Sequence, residues 1–371
     1  MTAGTRPERV LVIGGGIAGL AAARALHRHG IRCDVLERTD SSAHRGAGMY
    51  LPANSVRALD RLGLRAPVLD RARTIDNQRF LDHRGRLLFD VELSAVWGLT
   101  GSCLALSRSD LHQVLRAGTD VRQGLTVTAL REDGPRIDAD FSDRTTADYD
   151  LVIGADGLRS WVRTTVFGGP EPTFLNQVSW RFIIDGFPGV TAWTVWLGPG
   201  RGVLAVPLGA GRIYCYADLD ADEPSDPSGG DPTTLAELFR EFAEPVPAIL
   251  AAGLAAGEPA YFSPIETVLS TSWTRGKVAL IGDAAHAMSP NMAEGAGMAL
   301  EDALVLAETI ASGRPLAEFE ARRRPRVAFV QAQTQRRDRT RGLPPLVRNA
   351  ALRLAGRRIV RNGYEPLHAE P

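Results

Sequence analysis

Three glycine-acid signatures, each at the end of an apolar run, constrain this chain more than any other feature. Gly14-Gly15-Gly16-Ile17-Ala18-Gly19 follows Val10-Leu11-Val12-Ile13 directly. Ala155-Asp156-Gly157 follows Leu151-Val152-Ile153-Gly154, and Gly282-Asp283-Ala284-Ala285-His286 follows Lys277-Val278-Ala279-Leu280-Ile281. Short, wholly apolar runs of this kind read as strands buried on both faces, as in α/β sheets. Such sheets bind ligands beyond the carboxyl ends of their strands, where these glycines and aspartates fall.

The first signature has the local context of a dinucleotide site. Gly14 permits a tight turn, Gly16 lets backbone approach a pyrophosphate, and Gly19 lets the following helix pack close to the strand. That helix reads from Leu20 to His29 and is closed by Gly30; a second strand, Cys33–Leu36, ends at Glu37, 18 residues past Gly19. Glu37 is thus placed to accept hydrogen bonds from a ribose diol. This motif alone does not separate FAD from NAD, or from a glycine turn in another α/β protein. The three signatures together point to FAD held along its length, with the flavin beside a substrate chamber. After Asp283 come Pro290, Gly295 and Gly297, then a helix from about Met298 to Ser312. Its positive N-terminal end would stabilise a flavin that gains negative charge at N1 and O2 on reduction.

A chain of 371 residues predicts two or three domains. A net charge of +0 gives no reason to expect nucleic acid or a membrane surface as partner. The arginine-rich stretch of Arg322, Arg323, Arg324 and Arg326, continued by Arg336, Arg337, Arg339 and Arg341, reads as a solvated helix partly paired with acids elsewhere. Cys33, Cys103 and Cys215 have unrelated spacings, so neither a disulfide framework nor a metal site is expected. No apolar stretch is long enough to span a bilayer, and Met1 runs almost straight into the first strand with no room for a signal peptide. A cytoplasmic monomer or homodimer is the expectation.

On these motifs the chain, over about residues 8 to 330, resembles the para-hydroxybenzoate hydroxylase-like (group A) flavoprotein monooxygenases. Arg45-Gly46-Ala47-Gly48-Met49-Tyr50-Leu51 resembles the loop beside the flavin, and Ser107-Arg108-Ser109-Asp110-Leu111 resembles an element whose arginine contacts FAD. The resemblance implies an α/β fold: a Rossmann-like FAD-binding domain of the glutathione reductase type with an inserted, mostly antiparallel substrate sheet and C-terminal helices. The FAD domain would take 1–75, 100–170 and 277–340, the sheet domain 76–99 and 171–276, and a helical tail 341–371. It further implies that Asp156 and Gly157 serve FAD and pyridine nucleotide, that Asp283 binds the ribityl chain, and that Ala18, Arg38, Arg45, Arg108 and Val127 also contact FAD. NADH or NADPH would reduce FAD, and the reduced flavin would react with O2 to a C4a-hydroperoxide that hydroxylates an aromatic or other electron-rich small molecule. One departure stands out. Related loops often read Pro-x-x-Gly-Gln-Gly-x-Asn, whereas this chain has Pro290-Asn291-Met292-Ala293-Glu294-Gly295-Ala296-Gly297. A carboxylate facing the flavin would disfavour its anionic reduced form, so Glu294 is expected to point away, leaving Gly295 and Ala296 N–H groups at the ring.

The alternating runs around Trp180, Trp193 and Tyr214 predict the sheet, and Thr233 to Glu244 a short helix. Trp180, Phe182, Trp193, Trp196, Tyr214 and Tyr216 are candidates for the chamber wall, each also readable as core. No histidine falls between His112 and His286; His286 reads as a packing or hydrogen-bonding residue of the cofactor motif. Substrate activation is therefore assigned to Arg181, Tyr214 and Tyr216, with His44 and His83 as outsiders and Pro290 stiffening the flavin edge. Three rivals stand beside the hydroxylase, for which epoxidation is a related outcome: an FAD oxidase or dehydrogenase, a flavin halogenase, and a non-catalytic partner-binding protein. Trp193-Thr194-Val195-Trp196 resembles part of the halogenase motif, but the lysine that chemistry needs has no candidate, because Lys277 is the only one.

Overall fold

A computed structural model describes residues 7–39, 48–132, 134–187, 189–255 and 260–371. Its central sheet has six strands in the order Thr274–Arg275, Val278–Leu280, Leu151–Gly154, Arg9–Ile13, Arg32–Glu37 and Val121–Gln123. All neighbours pair parallel except the short Thr274–Arg275 edge. The three apolar runs are thus adjacent, with Val10 opposite both Leu151 and Cys33, and Val152 opposite Val278. Val10, Leu11 and Val12 are fully buried, as a sheet covered on both faces requires.

Helix Ile17–Arg28 crosses this sheet and packs against helix Gly295–Ala311, which is apolar nearly all round and buried accordingly. Glycine permits that close layering. A Cβ on Gly19 would lie 1.9 Å from the Gly14 carbonyl oxygen, and one on Gly14, whose φ is +110°, 2.3 Å from the Ala155 oxygen. Gly14 is therefore required as much by the neighbouring middle motif as by its own turn.

A second, seven-stranded sheet takes strands from two stretches of chain. Its order is Tyr261–Thr267, Thr173–Asp185, Arg212–Asp220, Arg201–Pro207, Trp193–Leu197, Asn77–Asp82 and Leu87–Glu92. Every pairing is antiparallel except Trp193–Leu197 with Asn77–Asp82. The period of two sorts its aromatics. Trp180, Phe182 and Trp196 face an outer core with Phe239 and Phe242, whereas Trp193, Tyr214 and Tyr216 face inward. The helix expected over 233–244 is shorter, Pro232–Leu238, and is capped by the Asp231 carboxylate accepting from Thr233 N and Thr234 N. Phe239 and Phe242 stay buried in the turns that follow, which is what gave the stretch its helical period.

Two long helices close the molecule. Leu316–Arg341 lies against Gly295–Ala311, and Pro345–Tyr364 packs on strand Leu87–Glu92, where Gly356 presses on the Phe89 ring. Arg57 fastens the chain end by donating to the Leu367, His368 and Ala369 carbonyls. Among the described residues no helix is long and apolar enough to cross a membrane. Gly19→Ala should cost about 1–3 kcal/mol of stability or more through overpacking, read as a fall in melting temperature; an unchanged value would refute the close layering.

Candidate active site

A cavity of about 580 Å³ opens at the carboxyl ends of the parallel strands, between the two sheets. One side is made of the glycine motifs: Gly16, Ala18, Gly157, Asp283, Gly295 and Ala296 all border it. A Cβ added at Gly16, Gly157 or Gly295 would meet no atom within 4 Å. Bare backbone facing open space suits a pyrophosphate and a flat isoalloxazine ring, so these residues fit FAD.

Each motif is braced from behind. Glu37 accepts from Gly15 N at 2.9 Å and from Thr39 N and Oγ1 at 3.0 and 2.7 Å. Burial pushes its carboxyl up, but these donors prevail and hold it below the ordinary carboxylate range. Its carboxylate thus shapes the glycine turn, and it does not border the cavity. Asp156 turns inward: it accepts from Ser160 Oγ at 2.5 Å and from Val162 N at 3.1 Å, at the start of helix Trp161–Phe167. Burial raises its pKa against those bonds. Arg163, fully buried, donates to the Leu158 and Pro170 carbonyls and, at 3.1 Å, to Ala284 O of the third signature.

Behind the third signature lies a buried ionic network that the sequence did not reveal. Asp302 Oδ2 meets His286 Nε2 at 2.6 Å and accepts from Gly282 N at 3.0 Å, while Oδ1 accepts from Arg323 Nε at 2.9 Å. Arg323 also reaches Glu301 Oε2 at 2.8 Å. Burial alone would raise Asp302, but His286 and Arg323 bring it down to about 2. His286 is thus a buried hydrogen-bonding residue, as the sequence suggested. Arg323 corrects the reading of its helix as a solvated one, because this arginine is completely buried.

The loop after Asp283 is pinned from the C-terminal side. Ser289 and Asn291 bond Asp338, Arg337 donates to Asn291 O at 2.8 Å, and Tyr364 Oη donates to Met292 O at 3.0 Å. Pro290 sits at the cavity edge. Ala293 takes the left-handed conformation, φ +55°, at the position where related loops carry glycine. Glu294 does point away: its carboxyl accepts from Asn54 Nδ2 at 2.9 Å and does not border the cavity.

The opposite side of the cavity is aromatic. Phe80 stacks on Phe89 at 4.2 Å and meets Trp193 at 5.2 Å. Tyr214 presses so closely on the Gly48 backbone that a Cβ there would lie 2.2 Å from its Cγ. Arg181 stands with its guanidinium 5.4 Å from the Tyr216 ring centre. Burial raises the Tyr214 phenol despite Arg181, and raises the Tyr216 phenol further with help from Asp218. Both phenols therefore stay protonated at neutral pH. Tyr216 Oη is buried with no hydrogen-bond partner among the described residues. Asp218 behind it is ion-paired with Arg341. The helix Pro345–Tyr364 adds Leu352, Val360 and Tyr364 to the wall.

Of the remaining expected site residues, one lies at the cavity and the others do not. Arg108 borders the cavity, opening a helix capped by Ser107. Arg38 is exposed, and Val127 is buried in a separate three-stranded sheet. His83 packs on Phe242 in the outer layer, away from the chamber. Arg45 and His44 lie outside the described residues.

This arrangement of parallel sheet, glycine-lined cofactor shelf and facing aromatic sheet defines a flavoprotein monooxygenase of the para-hydroxybenzoate hydroxylase class. Residues 8–330 match the FAD binding domain family, FAD_binding_3, and the chain belongs to it. It is 33% identical over 339 residues to 2-heptyl-3-hydroxy-4(1H)-quinolone synthase of Pseudomonas aeruginosa, covering 88% of this chain and 87% of that one. It is 32% identical over 361 residues to the 3-amino-4-hydroxybenzoate 2-monooxygenase PtnB3 of Streptomyces platensis, covering 92% and 90%. The structure of Klebsiella pneumoniae HpxO complexed with FAD and uric acid superposes with a TM-score of 0.90 at 27% identity, covering 98% of this chain and 97% of that one. The protein is an FAD-dependent oxidoreductase that inserts oxygen into a small molecule.

The ionic network makes its own prediction. Because Asp302 is held below its unfolded value, its stabilisation is present above about pH 4 and is lost as pH falls towards 2. Asp302→Asn, which leaves two arginines, Arg323 and Arg326, on the single Glu301 carboxylate, should cost about 3–5 kcal/mol in urea unfolding at pH 7; a loss within error of zero would refute the network.

Proposed function

We propose that the enzyme hydroxylates a planar, electron-rich aromatic or heteroaromatic molecule, using O2 and NADH or NADPH. The observation that carries this reading is the chamber itself: glycine-motif backbone on one side and Trp193, Phe80, Tyr214 and Tyr216 on the other. FAD would be held by Gly16 and Ala18 at the pyrophosphate, Asp283 at the ribityl chain, Arg108, and the N–H groups of Gly295 and Ala296 at the flavin. When bound, FAD supplies the redox chemistry, accepting reducing equivalents from the nicotinamide and activating O2.

The chain's own residues position the substrate and keep the chamber dry. The aromatic wall excludes water and sandwiches a flat ring. Arg181, with the Tyr214 and Tyr216 phenols as neutral donors, offers a recognition edge for an oxygen of the substrate. A guanidinium close to a bound phenol favours its ionised form and so makes the ring more electron-rich. Among the described residues no histidine borders the cavity; the phenol proton would pass to a water molecule as the substrate binds, its loss favoured by the Arg181 guanidinium. Pro290 stiffens the cavity edge.

A hydrogen bond to a charged oxygen contributes about 1.5–3 kcal/mol, or roughly 10–150-fold in rate. Arg181→Met should therefore lower kcat/KM for a phenolic substrate by roughly that factor, and Tyr216→Phe by a smaller one, with FAD content unchanged in both. Stopped-flow mixing of the reduced enzyme with O2 tests the reaction class. Oxygen appearing in the product supports hydroxylation. Stoichiometric hydrogen peroxide with every aromatic tried would point to an oxidase.

A further inference from the structure

Several buried polar atoms without a hydrogen-bond partner among the described residues gather behind the loop at Glu294. They include Glu294 Oε1, Asn54 Oδ1, Ser55 Oγ and Tyr50 Oη. Glu294 and Ser55 are at most 1% exposed, as is Asn54. The Asn54 amide is shared, donating to Glu294 Oε2 at 2.9 Å and to Glu301 Oε1 at 3.3 Å. The two acids differ in their charge partners. Glu301 receives Arg323 at 2.8 Å and Arg326 at 2.7 and 2.8 Å. Glu294 forms no ion pair among the described residues. Arg326 and Arg337 face it from helix Leu316–Arg341, but Arg326 is bound to Glu301, and Arg337 to Asn291 O and the Tyr364 ring. Its other neighbours, Tyr50, Cys103 and Tyr364, are neutral at pH 7.

A dry carboxylate with one neutral donor is heavily penalised, and among the described residues Glu294 Oε1 and Asn54 Oδ1, both acceptors, have no hydrogen to accept. Ionised Glu294 offers no hydrogen to Asn54 Oδ1, and Asn54 offers none to Glu294 Oε1. One proton on the acid removes the buried charge and turns one of its acceptors into a donor. Burial accordingly pushes the carboxyl up, to about 8, with the Asn54 bond opposing and Glu301 assisting. The adjacent departure in the loop fits the same picture. A Cβ on Gly297 would lie 2.3 Å from Ser55 Oγ and 2.7 Å from Glu294 Oε2, so glycine at 297 makes the room that the Glu294 carboxyl occupies.

We propose that Glu294 is a positioning residue carried as the neutral carboxylic acid, which stands in for the glutamine carboxamide of related loops and fixes the Gly295 and Ala296 backbone against the flavin. The part concerning the flavin rests on the reading that this loop meets the ring. Losing the proton would place a negative charge beside the site where the reduced flavin becomes anionic. Reduction then holds the proton more tightly. In the pH window above neutrality the flavin midpoint potential should fall more steeply with pH than it does without the titrating group.

Two measurements on the FAD-loaded enzyme and its Glu294→Gln variant decide the matter. Infrared difference spectra at pH 6.5 should show a carboxylic-acid carbonyl band in the wild type that E294Q lacks and that fades as pH passes about 8. E294Q should bind FAD as well as the wild type does, and its midpoint potential should lack the steeper segment. Absence of the band, or failure of E294Q to retain FAD, overturns the proposal. A band with identical potential-versus-pH slopes leaves the proton in place but overturns the coupling, and with it the placing of the loop at the flavin.

Discussion

Parallel pairing of three strands is the constraint from which the rest of the molecule follows. Arg9–Ile13, Leu151–Gly154 and Val278–Leu280 are far apart in sequence, yet their shared direction brings all three carboxyl ends to one edge. Turns that carry Gly16, Gly157 and Asp283 then face one cavity without any direct chemistry between them. The close fit is enforced at backbone level. Gly19 touches Gly14 O, Gly14 touches Ala155 O, and Gly282 would drive a Cβ to 2.9 Å from that of Ala18. Arg163 adds a polar tie from the middle motif to the third.

Much of this cofactor side was legible because its signals are local. A glycine turn, the strand before it and the acid after the next strand all lie within one βαβ unit, and their chemistry depends on backbone geometry that only glycine permits. The alternation of the second sheet was equally readable, but its direction was not. A period of two says that Trp180 and Tyr214 occupy opposite faces of neighbouring strands only once the register, Ile183 opposite Tyr214, is known. Half the aromatics named for the chamber wall therefore belong to the outer core.

What the sequence concealed are the bonds between distant elements. Asp302 sits mid-helix in an apolar stretch and Arg323 in a run of arginines that resembles a solvated face. Neither spacing indicates that they meet, or that His286 completes the group. Asn54 and Glu294 are 240 positions apart. The signal that was available lies in composition: a helix as buried as Gly295–Ala311 can keep Glu301 and Asp302 only if cations reach them, and the following helix is rich in arginine. The arginine excess of the C-terminal region is thus partly an internal counter-charge.

The helix Pro345–Tyr364 was expected as part of a tail, yet Leu352, Val360 and Tyr364 form part of the chamber wall. Order of synthesis then matters. Every strand of both sheets and all the glycine motifs precede residue 312, so the cofactor shelf can assemble while the wall opposite is still unfinished. The chamber acquires the apolar surface of Leu352, Val360 and Tyr364 only when the helix Pro345–Tyr364 has been made and docked. A protein interrupted there would keep its parallel sheet but leave its reactive centre open to water, so the last helix separates a dry reaction chamber from a solvated groove.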